Sequence, residues 1–224
     1  MYYEKLKFSR MSYILRYPDG YQAGEHYPVL IFLHGAGTRG NNLNQLLNNP
    51  FFHEIAGWPE FPFIVAAPQC SENSWFDMFE TLKQFVLTVS QQEYALKQKI
   101  YLMGASMGGY AAWQLAMSLP QVFAAIVPIC GGGMYWNAGR LKGVPVWAFH
   151  GRKDSVVSVE ESQKMVDAVV RNGGQAKLTV YEENGHDAWS DTYRNWEVFQ
   201  WLLSKENTEL VEVTDFYKNS DIYG

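Results

Sequence analysis

The sequence lacks any block of lysine and arginine, and its formal net charge is −5 over 224 residues. A nucleic-acid partner therefore has no electrostatic basis. Charge of either sign is missing between Lys99 and Arg140, yet glycines and prolines keep every apolar run well below the about 18 residues of a membrane span. We therefore expect no membrane partner, and we expect this stretch to form the centre of a sheet that is covered on both faces.

Cysteine is scarce, with only Cys70 and Cys130 present. We expect two buried thiols rather than a disulfide, which suits a reducing compartment. The first residues contain no apolar core followed by a small-residue cleavage site, so no signal peptide is indicated. These absences together predict a cytoplasmic protein.

Metal and cofactor motifs are also missing. No HExxH, paired CxxC or EF-hand pattern occurs, and the glycines of residues 131–133 do not form a dinucleotide-binding GxGxxG after a strand. We therefore predict neither a metal nor a cofactor. The sequence leaves the oligomeric state open.

What the chain does contain is apolar segments that alternate with helical patterns. This alternation predicts a mainly parallel central sheet with helices on both faces, in a single domain over residues 1–224. Residues 205–224 are acidic and are a possible appended tail. The predicted strands are 11–17, 28–34, 62–68, 99–104, 123–130, 145–151 and 176–182. The predicted helices are 76–96, 107–119, 158–174 (with Ser158 as its cap, Glu161 in its first turn and Gly173 as its end) and 192–205.

The segment GASMG, residues 104–108, lies between a predicted strand and a predicted helix. The Gly-x-Ser-x-Gly pattern is typical of a strained turn in which a Cβ at Gly104 or Gly108 would clash. The hydroxyl of Ser106 then projects from the carboxyl edge of the sheet, beside a helix N-terminus that favours negative charge. The pattern is short, and its position between strand and helix makes Ser106 a candidate nucleophile.

A nucleophilic serine needs a base, and the base needs an acid that orients it. His186 follows the last predicted strand and Asp154 follows the strand before it, so both belong to the edge that carries Ser106. His34 and His150 each precede a glycine at a strand end, and we interpret both as structural. Four other carboxylates compete for the acid role, but they share a loop with the histidine and are badly placed for its Nδ1: Glu182, Glu183, Asp187 and Asp191.

A tetrahedral intermediate needs backbone donors for its oxyanion. We expect one donor to be the amide of Met107, the residue after the nucleophile. The second is predicted to be the amide of Ala36, which lies between two glycines in the loop after strand 28–34.

The motifs LHGAG, GASMGG, HGRKD and NGHDAW resemble the serine esterases of the α/β-hydrolase superfamily. The most similar branch lacks a lid and includes phospholipase/carboxylesterases, polyhydroxybutyrate-depolymerase-like and feruloyl-esterase-like enzymes, and predicted peptidases. The resemblance covers about residues 28–204 and implies an α/β-hydrolase fold. Dienelactone hydrolases, which are related, use a cysteine nucleophile, so a serine at position 106 argues against that activity. The roles implied fall on Ser106, Asp154 and His186 as catalytic residues and on Ala36 and Met107 as oxyanion donors.

The sequence thus predicts a serine carboxylic-ester hydrolase that acts on a small-molecule ester through an acyl-enzyme. The short link of residues 131–144 leaves no room for a large lid. Trp75, Trp136 and Trp189 lie in or beside loops that follow strands, and we expect them to contact an aromatic or sugar-linked substrate. Two alternatives remain open, a serine peptidase acting on short peptides and a non-catalytic relative that binds a small ligand or a protein.

Overall fold

The computed structural model describes residues 2–208. Eight strands form one sheet: β1 Tyr2–Phe8, β2 Met11–Tyr17, β3 Tyr27–Leu33, β4 Ile64–Pro68, β5 Ala95–Ala105, β6 Ala125–Ile129, β7 Val146–Gly151 and β8 Ala176–Tyr181. Their order across the sheet is β1-β2-β4-β3-β5-β6-β7-β8. Only the pairs β1–β2 and β2–β4 are antiparallel. The remaining pairs are parallel, so the predicted mainly parallel sheet is confirmed.

Seven α-helices lie within the described residues: α1 Leu43–Leu47, α2 Pro50–Ala56, α3 Phe79–Ser90, α4 Met107–Ser118, α5 Val159–Arg171, α6 Trp189–Arg194 and α7 Trp196–Leu203. The helices α3, α4 and α5 pack on one face of the sheet, and α1, α2, α6 and α7 pack on the other. Residues 130–145, between β6 and β7, hold a single 3-10 helix, Tyr135–Leu141, and no large lid.

The sheet has an apolar layer on each face because side chains alternate along every strand. In β3, Val29, Ile31 and Leu33 belong to the layer under α3, α4 and α5, whereas Leu30 and Phe32 belong to the opposite layer. The charge-free stretch forms β6, α4 and much of β5, with both strands in the interior of the sheet, as predicted. No helix within residues 2–208 is long and apolar enough to cross a membrane.

The predicted helix 76–96 is too long. The segment forms a 3-10 helix, Trp75–Met78, followed by α3, which ends at Ser90. Residue Ala95 instead begins β5 and pairs with Tyr27 of β3, whose amide donates to the Tyr94 carbonyl at 2.8 Å. The helical pattern of apolar residues stops at Val89, and the residues after α3 are instead placed by pairing of β5 with β3.

A second predicted helix is divided in two, and one predicted cap residue makes a different side-chain contact. The predicted helix 192–205 is two helices, because Asn195 leaves the helical conformation and its side chain accepts the amide of Glu197 to begin α7. Ser158 is the N-cap residue of α5, as predicted, but its hydroxyl donates to the Glu160 carboxylate and accepts no helix amide. Gly173 ends α5 as predicted, with a φ of 81°.

Among the described strands and α-helices, β1, α1 and α2 were not predicted at all. At the other end, residues 205–207 lie against β5, where the Tyr101 hydroxyl donates to the Lys205 carbonyl at 2.8 Å and the Asn207 amide donates to Gln98 at 2.9 Å. The rest of the possible tail, residues 209–224, lies outside the described residues.

The turn from β5 into α4 is closely packed backbone against backbone. A Cβ added to Gly104 would lie 2.2 Å from the carbonyl oxygen of Gly108, and a Cβ added to Gly108 would lie 2.0 Å from the carbonyl oxygen of Leu33. Real Cβ atoms do not approach that closely, so the clash predicted at both glycines is confirmed. The two glycines let α4 begin directly against β5 and β3.

We expect Gly108→Ala to lower the free energy of unfolding by about 3 kcal/mol or more, or to prevent folding, because rigid backbone atoms cannot move aside. Urea unfolding followed by tryptophan fluorescence measures this change. The control is Gly143→Ala, since a Cβ there meets no atom within 4 Å. Equal unfolding midpoints for the two variants would contradict the close packing of this turn.

Candidate active site

Ser106 occupies a strained position at the end of β5. It is the N-cap of α4, with φ 55° and ψ −117°, a conformation that is rare for a residue with a side chain. Its amide donates to the Ile129 carbonyl of β6 at 2.8 Å. The sharp reversal between strand and helix leaves the hydroxyl at the carboxyl edge of the sheet.

The structure brings the side chains of Ser106, His186 and Asp154 together. The Ser106 Oγ lies 2.8 Å from His186 Nε2, and His186 Nδ1 lies 2.7 Å from Asp154 Oδ2. The carboxylate can only accept a hydrogen bond, so we assign the imidazole proton to Nδ1. Nε2 is then free to accept the proton of the serine hydroxyl.

The loops that carry Asp154 and His186 follow the neighbouring parallel strands β7 and β8. The Lys153 amide donates to the Asn184 carbonyl at 2.9 Å and ties one loop to the other. A Cβ on Gly151 would lie 2.0 Å from the Gly185 carbonyl oxygen, so the glycine of the HGRKD motif is needed for this approach. Close contact of the two loops sets the distance between acid and base.

The side chain of Asp154 is fully buried, whereas that of His186 is 20% exposed. Burial raises the pKa of Asp154, but hydrogen bonds from His186 and from the amides of Val157 and Val156 outweigh it and hold the pKa below its usual value. The two amides both donate to Oδ1, each at 2.9 Å. The carboxylate therefore stays ionised while it is out of water.

The four competing carboxylates are engaged elsewhere. Glu182 and Glu183 pair with Arg152 and Lys153. Asp187 accepts the amide and hydroxyl of Ser190, and Asp191 accepts the side-chain amide of Asn184 at 2.6 Å. Only Asp154 approaches Nδ1 of His186 among the described carboxylates.

The loop with Ala36 lies against the serine. A Cβ on Gly35 would lie 3.5 Å from Ser106 Cβ, so the residue before Ala36 packs against the serine. Ala36 and Met107 are the first residues of a 3-10 helix and of α4. Amides at that position have no acceptor inside their own helix. Both predicted oxyanion donors are thus the first amides of helices that begin near Ser106.

His34 and Trp75 hold this loop in place. The Cys70 amide donates to His34 Nε2 at 3.0 Å, which leaves the proton on Nδ1, 2.6 Å from the Gly35 carbonyl. The Trp75 indole donates to the His34 carbonyl at 3.0 Å. Burial lowers the pKa of His34 to about 4, so the ring is neutral at pH 7. The structural role predicted for His34 agrees with these contacts.

A cavity of about 500 Å³ opens at Ser106, and its lining includes Ala36, His186 and Trp189. The Trp189 ring meets the His186 ring edge to face, with centroids 5.1 Å apart. The prediction that Trp75 contacts substrate is wrong, because its side chain is fully buried beneath the loop. Trp136 is 72% exposed and does not line this cavity, so the structure does not bring it to the serine either.

The cavity also uses residues that no sequence pattern singled out. Asn49 and Pro50 line it from the start of α2, and Tyr193 lines it from α6. The Asn-Pro pair could have located the start of a helix, because asparagine is a frequent N-cap and proline a frequent first residue. Nothing local indicates that this helix end faces Ser106.

Cys70 and Cys130 are buried, unpaired thiols, as predicted. The ligand atoms of Cys130, His150 and Asp154 lie within 4.8 Å of one another, the geometry of a small metal site. Burial raises the pKa of Cys130 to about 12, however, and its thiol donates to the His186 carbonyl at 3.2 Å. A protonated thiol is a poor ligand, so this group is better suited to hydrogen bonding than to metal binding.

The family model for the dienelactone hydrolase family matches residues 65–209, which include Ser106, Asp154 and His186. The chain belongs to the dienelactone hydrolase family. This membership confirms the predicted α/β-hydrolase superfamily. The position of the candidate nucleophile is nevertheless a serine.

Several similar proteins carry the name of an esterase. The "Probable feruloyl esterase C" of Aspergillus terreus is 22% identical over 77% of this chain and 66% of its own length. A solved thermostable esterase superposes with a TM-score of 0.78 at 29% identity, over 91% of this chain and 63% of that one. The chain spans just under two thirds of either protein. A ferulic acid esterase matches at a TM-score of 0.68 and 17% identity over 90% and 96% of the two chains, which is a likeness of fold.

Neutral, buried His34 makes stability depend on pH. Its ordinary pKa is 6.5 and its pKa in the folded chain is about 4. The unfolded chain therefore takes up a proton first as the pH falls, and stability present above pH 6.5 is lost between pH 6.5 and 4. We expect a loss of about 2 kcal/mol at pH 5 from this residue.

Urea unfolding of the wild type and of His34→Gln at pH 7.5 and pH 5 measures this loss. Glutamine keeps an acceptor for the Cys70 amide but takes up no proton, so the variant loses less stability on acidification. His53→Gln, at an exposed position of α2, is the control, and we expect it to lose as much stability between pH 7.5 and pH 5 as the wild type does. Parallel losses in the wild type and His34→Gln would refute the assignment.

Proposed function

We propose that the protein is a serine esterase whose nucleophile is Ser106, with His186 as base and Asp154 as the acid that orients it. The observation that supports this most strongly is the continuous hydrogen-bond path of 2.8 Å and 2.7 Å through the two imidazole nitrogens. Hydroxyl, imidazole and buried carboxylate in that order are the arrangement that activates serine for acyl transfer.

In the first step His186 Nε2 takes the hydroxyl proton as Ser106 Oγ attacks the ester carbonyl carbon. The imidazole becomes a cation, and the buried, ionised carboxylate of Asp154 stabilises it. Because Nδ1 keeps its proton throughout, Asp154 fixes both the tautomer and the ring orientation.

The carbonyl oxygen gains negative charge as the tetrahedral intermediate forms. The amides of Ala36 and Met107 are the donors proposed for it, and the N-terminus of α4 adds a favourable dipole. These donors belong to backbone that is already fixed by the turn after β5 and by the contacts of His34. They need no rearrangement during the reaction.

Collapse of the intermediate breaks the bond to the alcohol, and His186 donates its Nε2 proton to the leaving oxygen. Water then enters, His186 removes one of its protons, and the oxygen attacks the acyl-enzyme. The second tetrahedral intermediate releases the carboxylic acid, and the proton returns from Nε2 to Ser106 Oγ.

The substrates that the cavity favours are neutral esters with a small or aromatic acyl group. No charged side chain lines the cavity within residues 2–208, so an acyl group with a carboxylate or ammonium would lose hydration without a partner. Trp189 offers an aromatic surface beside the base. The name feruloyl esterase, which the fungal relatives carry, supports an aromatic acyl group as one such substrate.

We expect Ser106→Ala to lower kcat/KM on p-nitrophenyl acetate by about 10⁴-fold or more, because the nucleophile is removed. A fluorophosphonate probe should label the wild type and not the variant. Ser118→Ala, on the same helix, is the control with full activity. A loss of less than tenfold in Ser106→Ala would contradict the assigned nucleophile.

Peptide anilide substrates and the fluorophosphonate probe separate the other candidate functions from the esterase. Cleavage of peptide anilides at rates above those of esters would favour a peptidase. No labelling of the folded wild type by the probe would favour a non-catalytic binding protein.

We expect Trp189→Ala to lower kcat/KM about tenfold more on methyl ferulate than on p-nitrophenyl acetate, because only the larger acyl group stacks on the indole. Trp136→Ala is the matched control, since that tryptophan is exposed outside the cavity. Initial rates on the two esters give the ratio. An equal loss on both esters in Trp189→Ala would remove Trp189 from the acyl site.

A further inference from the structure

A second histidine reaches the carboxylate of Asp154. His150 lies in β7, one residue before the strand ends, and its side chain is fully buried. Its Nε2 lies 3.2 Å from Asp154 Oδ2, the same oxygen that His186 Nδ1 contacts at 2.7 Å. The acid of the proposed triad is thus in contact with two imidazoles.

The proton on His150 Nε2 can be assigned from its neighbours. This nitrogen lies 2.9 Å from the Val157 carbonyl oxygen as well as near Asp154. Both neighbours are acceptors without a proton, so Nε2 carries one and donates it. The closer carbonyl takes the hydrogen bond, and the positive edge of the N–H group faces the carboxylate.

The other side of the ring is held as well. His150 Nδ1 and the Gly131 carbonyl oxygen each lie 2.8 Å from Ser162 Oγ, and because both are acceptors they share the single hydroxyl proton. Ser162 is a fully buried residue of α5, and Gly131 follows β6. The imidazole is therefore fixed between β6, α5 and the loop after β7.

The loop of residues 154–157 depends on this ring. The amides of Val156 and Val157 donate to Asp154 Oδ1, and the Val157 carbonyl accepts from His150. Val156 is 71% exposed, so apolar packing of its side chain does not hold the loop. His150 consequently acts on both carboxylate oxygens, on Oδ2 by direct contact and on Oδ1 through the loop.

We propose that His150 is a positioning residue that holds the Asp154 carboxylate in the orientation that His186 requires. The inference rests on the proposed function, in which Asp154 orients the base. It assigns His150 a role in the rate of acyl transfer beyond its contribution to the fold.

Two sets of substitutions test this role. His150→Asn and His150→Met remove the donor at the Nε2 position, and methionine also fills much of the volume of the ring. His150→Gln places an amide where Nε2 lies and can still donate to Val157 and Asp154. Ser162→Ala breaks the contact on the Nδ1 side and leaves Nε2 in place.

We call His150→Asn and His150→Met the donor-free variants, since neither has a donor at the Nε2 position. We expect them to lose about 10- to 100-fold in kcat on p-nitrophenyl acetate, with KM within about twofold of wild type. His150→Gln should recover kcat to within about fivefold of wild type, and Ser162→Ala should stay within about threefold. Each kcat is expressed per serine titrated with fluorophosphonate, and urea unfolding gives the stability of each variant. A loss of kcat that follows the loss of stability across all four variants would show a purely structural role.

The two donor-free variants guard against a folding failure, because either one that folds gives the comparison with His150→Gln. Equal kcat in a folded donor-free variant and the wild type overturns the inference. So does a failure of His150→Gln to exceed the donor-free variants. Wild type and Ser106→Ala are assayed alongside, since an inactive wild type would refute the proposed function itself.

Discussion

The whole site depends on a steric constraint where β5 turns into α4. Backbone atoms of β3, β5 and α4 approach so closely there that a methyl group on Gly104 or Gly108 has no room. The same reversal holds Ser106 at a positive φ. It places a hydroxyl, the first amide of a helix and the carboxyl edge of the sheet at one point, and the rest of the site is assembled around that point.

Around the serine, each loop of the site is held by hydrogen bonds to neighbouring segments of the chain. Buried His34 and Trp75 hold the loop with Ala36: the neutral His34 ring accepts the Cys70 amide, and the Trp75 indole donates to the His34 carbonyl. On the other side, the loops after β7 and β8 are joined backbone to backbone, which brings Asp154 to His186. The geometry of the candidate site therefore depends on backbone contacts between loops as well as on buried side chains.

Burial of Asp154 gives the site its chemical character. A carboxylate removed from water must be compensated by donors, and Asp154 has two amides on one oxygen and an imidazole N–H on the other. These donors keep it charged, which suits a partner for an imidazolium. Membership of the dienelactone hydrolase family together with a serine nucleophile position makes ester hydrolysis the function that we propose for this arrangement.

Local sequence determined the parts of the site that short-range sterics dictate. Glycine spacing predicted the Gly-x-Ser-x-Gly turn, and the period of apolar residues predicted the alternating strands and helices. The sheet with two covered faces and the order of serine, acid and histidine along the chain could also be read from the sequence. Sequence patterns were wrong where pairing partners decided: Ala95 joined a strand because Tyr27 lies opposite it, and residues 192–205 split where Asn195 caps a new helix.

Tertiary structure alone decided which of the three tryptophans lines the cavity and which histidines contact Asp154. Trp75, Trp136 and Trp189 all follow strands, yet Trp75 is buried beneath the loop with Ala36, Trp136 is exposed to solvent and Trp189 lines the cavity. His150 gave no sign in the sequence that it would reach Asp154, because that contact is made by a ring fixed from α5 and β6. A side chain's direction after a strand is set by the elements that pack around it, and these come from distant parts of the chain.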